Sequence, residues 1–426
     1  MAHPHVHDAR DFEVPDSTRT VLLSITVPLL LAIAAGLVLL WPSSIRTDAF
    51  VDALAPDDQY VARIVSVTRG PCQGTTPDAG ISCETAEVEL KEGPDRGQRI
   101  PLLEEPTTSG WNFSVGDLVV LAYYPGAGEG YEYSLVDRER RTPLLLLAAL
   151  FAVAVVALGR WKGARALAGV AVSLAILTAF ILPALLDGKD PVLVALVGGG
   201  LITVLALYLS HGVNAGSTVA LIGAFASLVL VGLLAWGFIE LTQLSGRAAE
   251  EAGLLQISAS QVQLQGLLLA GIVIGTLGVL DDVTVLQVSA VWELHHANPE
   301  MSRRDVYRAA VRIGRDHIAS TVNTLVLAYA GASLPLFLLL TQARQSLSDT
   351  ANAEIVATEI VRTLVGSIGL VASVPLTTLL AAWVVGEHQR GGRSRNRNDP
   401  RRYRSRTERQ LWDGASTPAE PPDRAL

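Results

Sequence analysis

The chain has 426 residues, of which 50% are apolar and only 17% are charged, whereas charged residues make up roughly a quarter of an average soluble domain. The charge is missing from long blocks free of Asp, Glu, Lys and Arg, and about 20 apolar residues are enough to cross a bilayer core as a helix. Composition therefore argues against a soluble protein and predicts a polytopic α-helical membrane protein with about eight transmembrane helices.

The first elements in the chain are a polar tail, an anchor helix and a β-rich segment. Residues 1–20 are polar and predict a disordered cytoplasmic N-terminus. The apolar stretch 21–41 predicts the first transmembrane helix, an uncleaved anchor, because it is longer than the apolar part of a signal peptide. Residues 46–141 instead hold short β-branched runs separated by Gly, Pro, Asp and Asn. This pattern predicts a small extracytoplasmic all-β module of about five strands between the first two transmembrane helices.

Both cysteines of the chain, Cys72 and Cys83, fall in the predicted β module. If the module lies outside the cytoplasm, its surroundings permit oxidation, and a disulfide would tie down a Gly- and Pro-rich loop. The alternative is a pair of free thiols in a loop. Neither reading gives the module an active site, because it contains no histidine and no Ser/His/Asp array.

Most of the remaining chain is apolar, and residues 143–388 predict a membrane domain of about seven helices. The predicted spans are 143–159, 166–186, 192–209, 218–240, 264–281, 318–340 and 360–385. Residues 389–426 predict a disordered, arginine-rich cytoplasmic tail. Its simplest partner is the anionic headgroups of the lipid bilayer.

Basic residues determine the predicted orientation. They cluster in the GRWKGAR loop that follows residue 158, in the segment 303–315 and in the tail. With an even number of spans, all three regions lie on one side of the membrane. Because basic loops stay in the cytoplasm, both termini are predicted to be cytoplasmic in a multi-pass protein of the cell (inner or plasma) membrane.

The sixth predicted span carries a stripe of small residues that ends in a carboxylate. Gly271, Gly275, Gly278 and Asp282 are spaced four, three and four residues apart, which places them on one helix face. Such glycines predict close helix packing. Asp282 and its neighbour Asp281 predict a transport or coupling site, because acidic residues in membrane segments usually face the protein interior or an aqueous pathway. The alternative is an interfacial cap in contact with headgroups.

The segment after the sixth span predicts a helix that begins at Ser302, where Ser302 and Asp305 resemble a capping box, and that enters the membrane with a polar face. The candidate site residues on this helix are Arg315, Asp316, Asn323 and Thr324. We predict that Asp282 is their neighbour, through Arg312, Arg315 or Asn323. The alternative is that these polar side chains only hold helices together, at about 0.6–2 kcal/mol per contact.

No nucleotide-binding or zinc-protease motif occurs in the sequence, and no nucleophile–base pair is visible. The chain is therefore predicted not to be an enzyme, with no catalytic residues, no metal and no cofactor. The arginine tail has almost no interleaved aromatic residues, so nucleic acid is not an expected partner. The expected partners are lipid, an unknown small solute or ion, and, as a candidate, a second copy of the chain.

Two segments carry a family resemblance: GTLGVLDDVTVLQVSAVWEL at 275–294 and GRDHIASTVNTLVLAYAGASLPL at 314–336. They are similar to the YibE/F family of bacterial multi-spanning membrane proteins, and the likeness extends over most of 20–388. In the family pattern one acidic residue follows the glycine-rich part of the sixth span. Asp282 matches that residue, while Asp281 is an extra acid. Such proteins resemble predicted permeases, and the resemblance implies no established substrate.

Two functions are consistent with these features. The first is a secondary transporter or permease, coupled to a proton or another cation, with Asp282 as the titrating or ion-binding carboxylate. The alternative is a non-transporting membrane scaffold whose outer β module binds a component of the cell envelope.

Overall fold

The structure is a computed structural model of the chain, and it divides into two compact units. The smaller unit contains a β-sheet and the larger one contains most of the helices. The residues that the structure describes are 16–43, 58–72, 82–102, 105–106, 112–127, 132–248, 250–259, 261–342 and 346–397. Most of the predicted N-terminal tail and most of the predicted C-terminal tail therefore lie outside the described residues.

The segment predicted to be all-β forms one antiparallel sheet of six strands, one more than the predicted number. The strands are β1 (Gln59–Pro71), β2 (Ser82–Leu90), β3 (Arg99–Pro101), β4 (Glu105–Pro106), β5 (Leu118–Tyr123) and β6 (Tyr133–Arg138). Their order is β3-β2-β1-β5-β6, and β4 pairs with β2 beside β3. Alternate residues point to one face, so that Ala62, Ile64, Val88, Leu90 and Leu121 form a buried core.

Two features fix the beginning of β2 in this sheet. A disulfide joins Cys72 to Cys83, with the two Cα atoms 4.9 Å apart. The neighbouring Glu84 is only 1% exposed, and its carboxylate accepts hydrogen bonds from the Phe113 backbone N–H at 3.0 Å and the Arg69 Nε at 2.6 Å. These two donors hold the pKa of Glu84 below its usual range, because both favour the ionised form.

Helices make up most of the rest of the described chain. They are α1 (Asp16–Leu39), α2 (Arg141–Ile176), α3 (Leu182–Leu186), α4 (Pro191–His211), α5 (Ala215–Leu241), α6 (Glu250–Ser258), α7 (Leu264–Ala297), α8 (Arg303–Ala332), α9 (Leu334–Gln342), α10 (Leu347–Asn352) and α11 (Glu354–Arg397). A turn of π-helix, Leu177–Ile181, connects α2 to α3. Since α11 reaches Arg397, the tail predicted to be disordered from residue 389 begins as helix, in line with the good helix propensity of arginine.

Six of the described helical segments are long and apolar enough to cross a membrane, and α8 with α9 would make a seventh. These two helices meet at a bend of 62°. Pro335 lies in the first turn of α9, where it has no N–H to donate and clashes with the preceding turn. The predicted span 318–340 is therefore a broken helix.

The backbone of α2 leaves helical geometry at Arg160, where φ is 50° and ψ is −129°. A side chain at Gly163 would collide with the backbone carbonyl of Val155, eight residues earlier, so the chain turns sharply here. This position falls inside the predicted GRWKGAR loop. The flanking segments, 141–159 and 161–176, correspond to the predicted second span and the first part of the third.

The core of the larger unit is formed by α4, α5, α7 and α11, whose buried residues include Leu228, Ile272, Leu280 and Val365. Glycines allow these helices to approach closely, since a Cβ at Gly223 would collide with Thr377 and one at Gly369 would collide with Val231. The α8 helix packs beside α7 and α11 but buries few of its residues. Its predicted start is confirmed: the Ser302 hydroxyl caps the helix by accepting from the Asp305 N–H.

Candidate functional site

Two consecutive acidic residues lie near the middle of α7 and face different neighbours. Adjacent helical residues are about 100° apart around the axis, so Asp281 is directed to α4 and Asp282 to α8. Near one end of α7, a Cβ at Gly266 would lie 2.7 Å from Pro191 at the start of α4. Asp281 is fifteen residues beyond Gly266, or about 22 Å along the helix at 1.5 Å per residue. Both acids lie within Leu264–Ala297, a helix that is long and apolar enough to cross a membrane.

Asp281 is half-buried and incompletely paired. Its carboxyl group lies beside the Thr203 hydroxyl of α4, while its Oδ1 is fully buried and has no hydrogen-bond partner among the described residues. Thr203 has one hydrogen to donate, and its hydroxyl also lies 3.0 Å from the Gly199 carbonyl. A buried carboxylate with so few donors is costly when ionised, unless a proton or a cation neutralises it.

Asp282 is the more exposed of the two acids, with 79% of its side chain accessible. Its Oδ2 lies 4.0 Å from the Nε2 of His317 on α8. That nitrogen is buried and makes no hydrogen bond to any described residue. Asp282 and His317 therefore form a loose pair of ionisable groups between α7 and α8.

The three glycines of the predicted stripe lie on the same exposed face of α7 as Asp282. The space where a Cβ would stand is open at Gly271 and Gly278, and at Gly275 it is 3.0 Å from the Tyr329 hydroxyl of α8. Close packing of this stripe against another helix thus stays a prediction, since the described contacts supply only Tyr329. The exposed face of these glycines, with Asp282, His317 and Tyr329, is called the α7–α8 groove below.

A second ionisable pair lies beside Tyr329 on α11. The Arg362 Nη1 donates to Glu359 Oε1 at 2.8 Å, both side chains are partly buried, and the Arg362 Nε has no partner among the described residues. This pair is close enough to the Tyr329 hydroxyl for an electrostatic interaction. A second pair of ionisable groups therefore lies near the α7–α8 groove, besides Asp282 with His317.

A buried polar contact joins α7 to α11 beyond the two acids. Gln287 is fully buried, its Oε1 accepts from the Thr378 hydroxyl at 2.9 Å, and its Nε2 has no partner in the described part of the chain. Gly314 of α8 packs directly on this amide, since a Cβ there would lie 2.6 Å from the Gln287 Nε2. The lack of a side chain at Gly314 allows α8 to lie this close to α7.

The structure separates the site residues predicted on α8. Arg315, Asp316 and Asn323 are exposed and make no contact with Asp282, whose described ion-pair partner is His317. Thr324 is also exposed, and its hydroxyl donates to the Ser320 carbonyl at 3.0 Å. Sequence reasoning missed His317, Thr203, Tyr329 and Gln287 as neighbours of the site. The one available signal was that His317 directly follows the Arg315-Asp316 pair in a helix entering the membrane.

Metal ligands do not converge in the described residues, which contain no cluster of three or more His, Cys, Asp or Glu side chains suited to a metal ion. The polar groups of the site are carboxylates, a histidine, a tyrosine and hydroxyl groups. Such groups can bind and release protons or small cations.

Comparison with protein families gives a match to the YibE/F-like protein family over residues 147–387. The chain belongs to this family. The match includes every residue of the candidate site on α4, α7, α8 and α11, whereas the sheet lies before it. No curated protein and no solved structure matches this chain.

Proposed function

We propose that this YibE/F-like protein is a secondary transporter, a permease of a small solute or ion, coupled to a proton or another cation at the two acids of α7. The observation that carries the proposal is the buried, unpaired Oδ1 of Asp281 beside Thr203. Ionisable residues inside a membrane are costly and usually mark ion or proton pathways. Here two pairs of ionisable side chains, Asp282 with His317 and Glu359 with Arg362, accompany Asp281, which suits a pathway better than a single structural contact does.

The coupling step would be the gain and loss of positive charge at these carboxylates. The Thr203 hydroxyl alone cannot satisfy an ionised Asp281, so the ionised form favours a state in which water or a cation reaches the carboxylate. The neutral form tolerates a state from which water is excluded. The Asp282–His317 pair, 4.0 Å apart, would pass the same proton or cation between the exposed groove and the helix interior. Small residues along α7 leave room for a solute beside these groups.

Eight spans are the topology that we propose for this transporter. Six helical segments are long and apolar enough to span a membrane. The segment Arg141–Leu186 counts as two spans if it is divided at Arg160, and the bent pair of α8 and α9 counts as one more, which gives eight. An even number puts both termini on one side, and the arginine-rich tail makes that side cytoplasmic. The sheet is then extracytoplasmic, where its disulfide is stable, and the protein lies in the cell membrane.

The test is charge movement in liposomes that contain the purified full-length protein. Solute-dependent and pH-gradient-dependent currents are recorded across a panel of ions and small solutes for the native chain, Asp281→Asn and Asp282→Asn. Glu240→Gln is the matched control, because Glu240 is an exposed acid at the end of α5, a helix that contributes no residue to the groove as defined above. We expect a current that Asp281→Asn strongly reduces and that the control retains, with unchanged thermal unfolding in detergent.

The same experiment decides against the proposal in two ways. Currents that survive both acid substitutions would remove coupling from α7. No current for any solute, with all variants stable, would favour a membrane scaffold that acts through its sheet.

A further inference from the structure

The side of α7 that carries Asp281 is packed into the apolar core of the helix bundle. Leu277 is one turn before Asp281 on the same helix face. A Cβ at Gly199 of α4 would lie 3.8 Å from Leu277 and 3.4 Å from Leu228 of α5, and both leucines are buried. One turn beyond Gly199, the Thr203 hydroxyl is the polar group beside the Asp281 carboxyl. An ionised carboxylate is therefore surrounded on this side mainly by hydrocarbon.

Charged side chains are almost absent from the two helices that pack on this side of α7. No Asp, Glu, Lys or Arg occurs in α4, and its two titratable side chains, Tyr208 and His211, are five and eight residues beyond Thr203, or about 8 and 12 Å along the helix axis. The single charged residue of α5, Glu240, is the last but one residue of that helix. Neither helix thus offers a cation that could neutralise Asp281.

The other two helices that pack on α7 direct their ionisable groups elsewhere. On α8, the imidazole of His317 approaches Asp282, at 4.0 Å. On α11, Arg362 is engaged in an ion pair, and residues 363–386 contain no Asp, Glu, Lys or Arg. No charged group of the described chain thus lies close enough to act on the Asp281 carboxyl.

The hydrogen bond made by Thr203 is suited to a protonated Asp281. The Thr203 hydroxyl donates its one hydrogen to the Gly199 carbonyl at 3.0 Å, so its lone pairs are left to accept a hydrogen bond. A carboxylic acid has an O–H to donate to them, whereas a carboxylate can only accept. The protonated acid therefore completes a chain of hydrogen bonds from Asp281 through Thr203 to Gly199, and the ionised acid does not.

A metal cation would find few oxygen atoms at this position. Ca²⁺ takes about six to eight oxygen ligands, and transporters coordinate Na⁺ with backbone carbonyls where a helix is unwound. Here α4 and α7 are continuous helices without an interior proline or a residue of positive φ, so their carbonyls are engaged in helical hydrogen bonds. Among the described residues, the oxygens left are those of the Asp281 carboxyl and the Thr203 hydroxyl, which are too few for such a cation but enough for a proton.

We propose that the ion bound and released by Asp281 is a proton, which the carboxyl group shares with the Thr203 hydroxyl, and not a metal cation. This inference rests on the proposed transport function, and it names the coupling ion of that same site. The neutral carboxyl group stays in the apolar surroundings, and the ionised one forms when water reaches it.

Thermal unfolding of the purified full-length protein separates the two kinds of ion without any transport. The native chain and Asp281→Asn are compared in the chlorides of Na⁺, Li⁺, K⁺ and Ca²⁺, with choline chloride of equal ionic strength as the reference. Because a ligand that binds only the folded state raises the unfolding temperature, a cation held by Asp281 would stabilise the native chain and not the variant. We expect the same shift, or none, in both proteins. Stabilisation by one of these cations that Asp281→Asn removes would overturn the proposal.

Infrared spectroscopy detects the proton itself. The C=O stretching band of a protonated carboxyl group is recorded as the pH is lowered, and the spectrum of Asp281→Asn is subtracted from that of the native chain. The matched control is Glu240→Gln, which removes an exposed carboxyl group. Hydrogen bonds from water lower the C=O frequency, so we expect the band lost in Asp281→Asn to lie at a higher frequency than the band lost in Glu240→Gln. No such band, or a band at the frequency of Glu240, would refute a proton held in the apolar core.

Liposome currents then distinguish a failure of this inference from a failure of the proposed function. A pH gradient is expected to drive the current of the native chain, and replacement of Na⁺ and K⁺ by choline should leave that current unchanged. A current that needs Na⁺ or K⁺ and persists without a pH gradient would refute the proton while keeping transport. No current at all would refute transport, and the unfolding and infrared comparisons would still decide which ion Asp281 binds.

Discussion

Gly314 is predicted to set the position of α8, and Gly314→Ala is the sharpest test of the packing around the candidate site. A Cβ at this position would lie 2.6 Å from the Gln287 Nε2 and 2.6 Å from the Val374 Cγ1. Carbon atoms in contact are normally about 3.5–4.0 Å apart, so α8 must move outward by about 1 Å. Neither neighbour can yield easily: Gln287 is held by Thr378 at 2.9 Å, and valine is restricted at χ1.

Overpacking of this kind costs about 1–3 kcal/mol, but alanine is also a better helix former than glycine by about 1 kcal/mol. Gly331→Ala on the same helix separates the two effects, because the space around Gly331 is open. We expect Gly331→Ala to be neutral or slightly stabilising, and Gly314→Ala to be about 1–3 kcal/mol less stable than Gly331→Ala in thermal unfolding of the purified protein. Equal stability of the two variants would refute the close approach of α8 to Gln287.

Three further predictions concern the sheet and the buried amide. Replacement of Cys72 and Cys83 by serine should lower the free energy of unfolding of the sheet by about 3 kcal/mol in chemical unfolding, because the bridge closes a loop with sequence separation 11 and so reduces the entropy of the unfolded chain. An unchanged free energy of unfolding would mean that the bridge is dispensable. Because folding lowers the pKa of Glu84, ionised Glu84 stabilises the sheet above pH 4.5, its ordinary pKa, and this stabilisation is lost as the pH falls through the pKa of the folded protein. Glu84→Gln should therefore make the free energy of unfolding depend less on pH in the acid range. The same pH dependence in the native chain and the variant would contradict this prediction. Gln287→Leu removes a buried unpaired N–H together with the bond to Thr378, so thermal unfolding should change little; a large loss of stability would show that the amide has a further partner.

The membrane helices were predictable because a bilayer imposes one simple requirement, an apolar block of sufficient length. The β segment was predictable for a similar reason, since period-two runs such as that around Val119 and Leu121 bury one face. The break at Pro335 was not anticipated within the predicted span 318–340. A hydropathy pattern counts apolar residues, and it does not register that a proline bends the helix that carries them.

The neighbours of the acids could not be predicted from the sequence in the same way. Periodicity assigns residues to a helix face, and it placed Gly271, Gly275, Gly278 and Asp282 together correctly on α7. It carries no information about which face of a second helix meets that one. The predicted pairing of Asp282 with Arg312, Arg315 or Asn323 was wrong for this reason, since α8 presents His317 to α7 and turns those three residues away.

The two adjacent acids of α7 illustrate why pattern alone could not rank them. Asp282 matches the family pattern and is 79% exposed, whereas Asp281, the extra acid, holds the buried unpaired oxygen beside Thr203. If the two carboxylates serve one coupled proton or cation path, their effects on transport cannot be independent. The variant with both Asp281→Asn and Asp282→Asn should then carry no less current than the worse single variant. If the fractional losses of current in the two single variants instead multiply in the double variant, the two acids act in separate steps. The Asp282–His317 pair would then not pass its proton or cation to Asp281.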